Sequence, residues 1–486
     1  MPRDLTDKRV LVVGLGKSGL GAARLALRHD AREVIAFDDR GIDALDAEAV
    51  RALVEQGARL ACGPHGFDSA TEIFRSVDLV VVSPGFPLAR PEFTVARQAG
   101  AKVVGEVEFA SWFLNHDALV IGISGTNGKS TVTALTGALC AASGAATFTG
   151  GNLGAVLSDA LVDGQRFDFA VLELSSFQLE GIDALHPQIA CLTNLTPDHI
   201  DRYADHAAYG AAKKRLFRNQ TEADFGVVNA GDAGVLKLIE GESCQRFTFG
   251  FGQSEEAAAR FDDGTIVVRI DRSVEATGRS SRRHDSLGAE FEERYQLTNR
   301  NLRGPHNAEN AMAAILCARL AGVDAASVQR GLDAYPGLHH RLESVGTIDG
   351  VEFINDSKAT NVDSTAVALK SFERGVWLIA GGQGKGLPYR PLVEIALGRV
   401  AGVLTIGEDA PLIEAAFRGV VPVVSCGDLE TATRMALNQA HAGDVVLLSP
   451  ACASYDQFKN FEARGDTFRA LVQRLSGERD EARDGH

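Results

Sequence analysis

Short runs dominated by apolar residues punctuate this chain at 9–13, 34–37, 79–82, 119–123, 169–172, 189–192, 376–379, 402–406 and 444–448. Each is long enough for one strand and too short for a helix. Strands that are apolar on both sides belong to parallel sheets with helices packed on both faces. Longer amphipathic stretches separate the runs and supply those helices. The pattern confines the chain to an α/β class with doubly wound sheets.

Length divides the pattern. At about 150 residues per domain, 486 residues correspond to roughly three domains. The boundaries are expected to fall at 1–107, 108–337 and 338–486. The first block opens with a strand–turn–helix and a second such unit begins near Asp117. A third block starts at His339 with three strand signals of its own, and a hinge is expected near Gly337. The stretch 271–294 is polar and poorly patterned, and reads as an exposed loop or hairpin excursion. The charged tail 477–486 is expected to fray.

Charge and composition exclude several function classes. Lys plus Arg total 49 against 64 Asp plus Glu, a net charge of −15. That argues against nucleic acid or an anionic membrane as partner, so any phosphate must be caught by local geometry. The seven Cys are scattered without a C-x-x-C pair, which speaks against a disulfide scaffold or a Cys-type zinc site. No apolar run approaches 20 residues, so no membrane span is expected. The N-terminus reads as a first strand, not a signal peptide, and a cytoplasmic location is expected. The 51 Gly exceed the usual share of about 7% and point to tight turns and close backbone approaches.

Two of those glycine clusters follow strands. Gly14-Leu15-Gly16-Lys17-Ser18-Gly19 matches G-x-G-x-x-G, with Asp38 ending the next strand signal. Such glycines let amides and a helix N-terminus approach a pyrophosphate. A dinucleotide, another nucleoside diphosphate and a purely structural turn all remain open. Gly125-Thr126-Asn127-Gly128-Lys129-Ser130-Thr131 reads as a P-loop, although Ile123 stands where the first Gly of G-x-x-x-x-G-K-[ST] belongs. In that role the amides cradle phosphates, Lys129 neutralises them and Ser130 reaches Mg²⁺.

Further polar clusters sit where α/β proteins place ligands, at the ends of strands. Glu173 closes one strand, as a Mg²⁺ ligand near a P-loop should. His199, in Thr-Pro-Asp-His-Ile-Asp, reads either as a structural histidine or as part of the same site. Asn307 and Asn310, in Gly-Pro-His-Asn-Ala-Glu-Asn, read equally as helix capping or as adenine contacts. The third block carries His340-Arg341-Leu342-Glu343, Asn355-Asp356-Ser357-Lys358-Ala359-Thr360-Asn361, the loop Gly381 to Gly386 with Lys385, and a run from Ser449 through Ser454 to Phe461.

Together these motifs resemble the Mur ligase family, ATP-dependent amino-acid-adding enzymes of peptidoglycan synthesis, from Gly14 to Phe461. GTNGKST and GPHN-x-x-N are family-wide. LELSSFQLE, TPDHIDR, HRLE, NDSKATN and SPACAS-x-DQFKNFE-x-RG resemble the branch that adds D-glutamate to UDP-N-acetylmuramoyl-L-alanine.

The resemblance implies an N-terminal Rossmann-like domain, a central P-loop ATPase-like domain and a C-terminal Rossmann-like domain, in a bacterial protein expected to be monomeric. It implies that the first glycine turn receives UDP and that NAD is not used. Gly14, Gly16, Ser18, Gly19, Asp38, Arg40, Ser83 and Gly85 would contact that substrate, and Asn152, Ser175 and Gln178 its muramoyl-peptide end. ATP would phosphorylate the alanine carboxylate, and D-glutamate would attack the acyl phosphate. One Mg²⁺ would sit on Ser130 and Glu173, and a second on His199. A carbamylated lysine near the second ion is expected at Lys213, in register with Tyr209, with neighbouring Lys214 as the alternative. Arg341, Asp356 and Lys358 would meet ATP, with Asn307 and Asn310 near adenine. Thr360, Lys385, Ser454 and Phe461 would form the D-glutamate pocket.

Overall fold

A computed structural model describes residues 4–63, 67–196, 202–251, 257–270 and 291–484. Its strands form three sheets, and each apolar run named above lies on a strand to within a residue or two.

The first sheet comprises β1 (Arg9–Val13), β2 (Glu33–Asp38), β3 (Arg59–Cys62), β4 (Leu79–Val82) and β5 (Lys102–Gly105), all parallel, in the order β3-β2-β1-β4-β5. Val10 and Val12 pack into one apolar cluster with Leu25 and Ala26 of the helix Lys17–Arg28. Leu11 and Val13 pack into another with Phe74 and Phe93. Alternate residues of one strand thus feed two cores, which is why the run reads as continuously apolar. The strand order reverses beside β1, so the crevice that binds ligands in such sheets opens at its C-terminal end.

The second sheet holds β6 (Leu119–Ser124), β7 (Thr147–Gly151), β8 (Phe169–Glu173), β9 (Ile189–Leu192), β10 (Phe225–Asn229), β11 (Gln245–Gly250), β12 (Ala259–Asp262), β13 (Thr265–Ile270) and β14 (Phe291–Gln296). Its order is β14-β13-β12-β11-β10-β9-β6-β8-β7. The pairs from β7 to β12 are parallel, whereas β12, β13 and β14 pair antiparallel. Residues 291–294 of the poorly patterned polar stretch therefore belong to a strand, and 271–290 lie outside the described residues.

The third sheet contains β15 (Glu343–Ile348), β16 (Val351–Asn355), β17 (Val376–Gly381), β18 (Val400–Ile406), β19 (Val423–Gly427) and β20 (Val445–Leu448), in the order β15-β16-β20-β17-β18-β19. Only the β15–β16 pair is antiparallel.

The chain gathers into two compact units, residues 1–297 with 309–334, and residues 298–308 with 335–486. Within the first unit one apolar cluster takes Val10 from β1 and Leu172 from β8. Residue 107 lies inside this unit, in the helix Glu106–Ser111. The buried Glu108 carboxylate of that helix accepts the Trp112 indole N–H and the backbone N–H groups of Asp183, Ala184 and Leu185 at 2.8–3.1 Å. A buried carboxylate is stable when its oxygens are filled in this way. Among the described residues no helix is long and apolar enough to cross a membrane.

Candidate active site

β1 delivers the chain to Gly14, whose φ is +90°. A Cβ on Gly14 would lie 2.6 Å from the Phe86 ring, and one on Gly19 would lie 1.7 Å from the Gly14 carbonyl oxygen. Gly16 faces open space and caps the helix Lys17–Arg28 without a side-chain bond, and Ser18 sits half-buried in its first turn. Those first amides are therefore open to an anion.

Asp38, ending β2 with 1% exposure, commits its oxygens inside the protein. They accept the Leu15 N–H at 2.8 Å, and the Arg40 N–H and guanidinium at 2.9 Å. Burial pushes this carboxyl up, but the Arg40 and Leu15 donors outweigh it and hold it below the usual carboxylate range. The outward group is Arg40, whose side chain is 53% exposed. Ser83 donates its hydroxyl to the Gly14 carbonyl at 2.8 Å and braces the turn, while Gly85 is exposed.

Nearby, an open crevice of about 270 Å³ is lined by residues that include Ser83, Phe86, Glu106, Phe177 and Gln178. Burial raises the Glu106 carboxyl to about 7 despite a bond from the Ser158 N–H. Gln178 and Ser175 form a capping box on the helix Ser176–Glu180. Asn152 donates its side-chain amide to Glu173 at 2.7 Å.

The second glycine turn follows β6. Gly125 has φ +144°, and a Cβ there would lie 1.9 Å from the Thr193 hydroxyl. Gly128 has φ +82°, and a Cβ there would lie 2.4 Å from the Asn310 side-chain oxygen. The turn is latched to the segment after β9, the neighbour of β6. Thr126 bonds the Asn194 and Thr196 carbonyls, the Asn127 N–H bonds the Asn194 side chain, and the Thr193 hydroxyl bonds the Asn127 carbonyl at 2.6 Å. The helix Lys129–Ala141 begins here, with Lys129, Ser130 and Thr131 in its first turn. Lys129 Nζ donates to the Gly125 and Thr126 carbonyls at 2.9 and 2.7 Å.

Lys213 Nζ donates to the same Gly125 carbonyl at 2.7 Å. It is 1% exposed and lies 4.6 Å from the centre of the Tyr209 ring. Tyr209 OH stands 3.3 Å from the Thr126 hydroxyl. Lys214, by contrast, pairs with Glu242 at 2.9 Å with its side chain 39% exposed. Glu173 stands opposite Ile123 in the β6–β8 register, so it ends its strand beside the turn. Its Oε1 is the atom that accepts the Asn152 amide, whereas its buried Oε2 has no hydrogen-bond partner. A buried carboxylate oxygen without a donor suits a cation. His199 lies outside the described residues, and among the described ones no three His, Cys, Asp or Glu converge as a metal cluster.

In the second unit, Asp356 follows β16 and is buried; it accepts the Ser449 hydroxyl at 2.7 Å and the Leu342 N–H at 3.3 Å. Burial raises its carboxyl to about 7, against the pull of Ser449 and Arg341. The buried Nε of Arg341 has no hydrogen-bond partner. Lys358 Nζ lies 5.8 Å from the Phe461 ring centre, and the Ser357 hydroxyl donates to the Phe461 carbonyl at 2.8 Å. Gln383 and Ala453 exchange backbone bonds at 2.9 Å, which joins the glycine loop after β17 to the segment holding buried Ser454. Thr360 is half-buried and Lys385 is exposed. Asn307 lies within the helix Pro305–Leu320 and donates to the Arg303 carbonyl at 3.0 Å, so it does not act as an accepting N-cap.

Thr193 and Asn194 brace the second glycine turn and were not revealed by spacing, whereas Tyr209 was named for its spacing to Lys213. The signal for Thr193 and Asn194 is the strand register that sets β9 beside β6.

Family models match almost the whole chain in three stretches. They are a MurD-like N-terminal domain over residues 8–105, a Mur ligase middle domain over 123–318, and a glutamate ligase domain over 340–452. UDP-N-acetylmuramoylalanine–D-glutamate ligase of Myxococcus xanthus is 54% identical over 97% of this chain and 99% of its own. The protein of that name from Anaeromyxobacter dehalogenans is 51% identical over 96% and 98%. Among solved structures, the MurF ligase of Thermotoga maritima in complex with ADP aligns with TM-score 0.55 at 17% identity, over 97% of this chain and 99% of that one.

Proposed function

This chain belongs to the Mur ligase family, and from that premise we infer that it joins D-glutamate to UDP-N-acetylmuramoyl-L-alanine at the expense of ATP, in peptidoglycan synthesis. Near full-length identity to relatives of that name supports the substrates. The observation that carries the chemistry is the meeting of Lys129 and Lys213 on one P-loop carbonyl beside a donor-free Glu173 oxygen.

A carboxylate does not react with an amine, so one of its oxygens must become a leaving group. The alanyl carboxylate takes the γ-phosphoryl group of ATP, the D-glutamate amine adds to the acyl phosphate, and phosphate departs. Catalysis of this kind rests on positioning and charge neutralisation. The amides of Gly125 to Thr131 hold the phosphates, and Lys129 meets charge on the group in transfer.

Glu173 Oε2 and the Ser130 hydroxyl fit a Mg²⁺ ion in their chemistry. Such an ion, when bound, neutralises the β- and γ-phosphate oxygens. A second ion would draw on His199 and on a carbamate at Lys213. Two ammonium groups on one carbonyl repel each other, and a carbamate at Lys213 turns that repulsion into attraction. Lys214 already has its carboxylate partner on the surface.

We assign the remaining residues on the same basis. Arg40 presents the first turn, Gly14 to Gly19 with Ser83 and Gly85, to the UDP moiety, and Asp38 acts through Arg40 and Leu15. Asn152, Ser175 and Gln178 serve the sugar-peptide end. Asn307, Asn310, Arg341, Asp356 and Lys358 are nucleotide contacts. Thr360, Lys385, Ser454 and Phe461 receive D-glutamate. The domains run 1–107, 108–337 and 338–486, and the protein acts as a monomer in the bacterial cytoplasm. Phosphate release with ATP and UDP-N-acetylmuramoyl-L-alanine should require D-glutamate. Equal turnover with L-glutamate, L-alanine or diaminopimelate would overturn the assignment.

A further inference from the structure

The first turn of the helix Phe461–Asp484 holds Arg464, at 1% exposure the largest fully buried side chain among the described residues. Buried guanidinium groups are ordinarily paired with carboxylates. Among the described residues Arg464 has no such pair, and its donors go to neutral oxygens. Nε reaches the Ser357 hydroxyl at 2.9 Å, Nη2 the Ser357 and Cys452 carbonyls at 2.9 and 3.1 Å, and Nη1 the Ala453 carbonyl at 3.3 Å. Burial lowers the guanidinium to about 10, which leaves it charged at neutral pH.

Its neighbour Gly465 is fixed by contact. A Cβ there would lie 2.1 Å from His340 Nδ1, and its carbonyl accepts the Asn355 side-chain amide at 3.2 Å. A Cβ on Gly382 would likewise lie 3.2 Å from Arg464 Nη1. One Arg-Gly pair therefore touches the loops carrying His340, Ser357, Gly382 and Cys452. Those loops hold His340, Leu342 and Ala451 at φ of +62°, +44° and +61°. Backbone of that kind persists only when its surroundings enforce it.

We propose that Arg464 is a positioning residue for the incoming amino acid, holding the 357–360 and 452–454 loops at the spacing that lets Thr360, Ser454 and Phe461 meet one substrate. This rests on the assignment of those three residues to the amino-acid pocket. The four acceptors belong to two loops, so the charge is solvated only when both loops are in place. A planar fork can serve them together, and an ammonium on a flexible stem cannot.

R464K and R464M in the full chain test this. KM for D-glutamate should rise about tenfold or more, because small misplacements near reacting atoms are costly. KM for ATP should rise by less, since its proposed contact Lys358 shares the 357–360 loop, and KM for UDP-N-acetylmuramoyl-L-alanine should stay at its wild-type value. Acyl phosphate trapped with hydroxylamine before D-glutamate is added should still form at saturating ATP. R464K retains the charge and is the variant on which the outcome is read if R464M does not fold. A parallel rise in all three KM values, or an unchanged KM for D-glutamate, would sink the proposal. A wild-type enzyme indifferent to D-glutamate would sink the functional assignment instead.

Discussion

The two glycine turns of the first unit share one local plan, a buried strand, a left-handed glycine and a helix, yet they differ in what surrounds them. At Gly14 the neighbouring strand brings Asp38, which binds backbone and Arg40, and the charge shown outward is a half-exposed guanidinium. At Gly125 the neighbours bring Glu173 and Lys213, both buried, and Lys129 stands in the turn itself. On the proposed assignment both turns would hold an anion, and what the neighbouring strands and the helix His206–Lys214 bring would decide whether that anion is only held or also made to react.

Lys129→Ala gives the sharpest test of that contrast. Turnover should fall by about 10³-fold or more, the scale expected when a charge on a transferring phosphoryl group is lost, with the melting temperature little changed. A mild loss would erase the difference between the turns. Lys213→Ala should be nearly as inactive and should regain activity with added short carboxylic acids, whereas Lys214→Ala should remain active. The opposite pattern would move the carbamate to Lys214.

Arg40→Ala should be milder. KM for the UDP substrate should rise about tenfold, because a hydrogen bond to a charged group is worth ~1.5–3 kcal/mol, with KM for ATP unchanged. A fall in kcat with no change in that KM would place chemistry at the first turn as well.

The smallest expected effect is on stability. The folded chain keeps the Glu106 proton to about 7, well above the ordinary value of 4.5. Between those values the unfolded chain has released a proton that the folded one retains, so stability falls as pH rises and levels off above the folded value. Glu106→Gln removes that slope. Its melting temperature should gain on wild type between about pH 5 and about pH 8. Parallel curves would show that the carboxyl beside the first turn is not protonated.

Both turns were legible in the sequence because their glycines, Lys129 and Ser130 are consecutive in the chain. The latch made by Thr193 and Asn194 was not, because it depends on β9 lying beside β6. Arg464, within the SPACAS-x-DQFKNFE-x-RG motif, was given no role for another reason: an arginine reads as surface, and only packing reveals its burial. The strands β7, β11, β12 and β14 were missed because polar residues interrupt them, whereas the runs read from the sequence are almost continuously apolar. Spacing from Tyr209 favoured Lys213 but left Lys214 open, since adjacent positions on a helix differ only in the face they present.

The Glu108 carboxylate has a bearing on how this protein can be divided. A cut between 107 and 108 would leave Glu108 with the Asp183, Ala184 and Leu185 amides but break the helix Glu106–Ser111 that seats it, and would expose the apolar flank shared with β1. The first two sheets are therefore one inheritable part. Shuffling between relatives should succeed when both travel together and fail when they are exchanged singly.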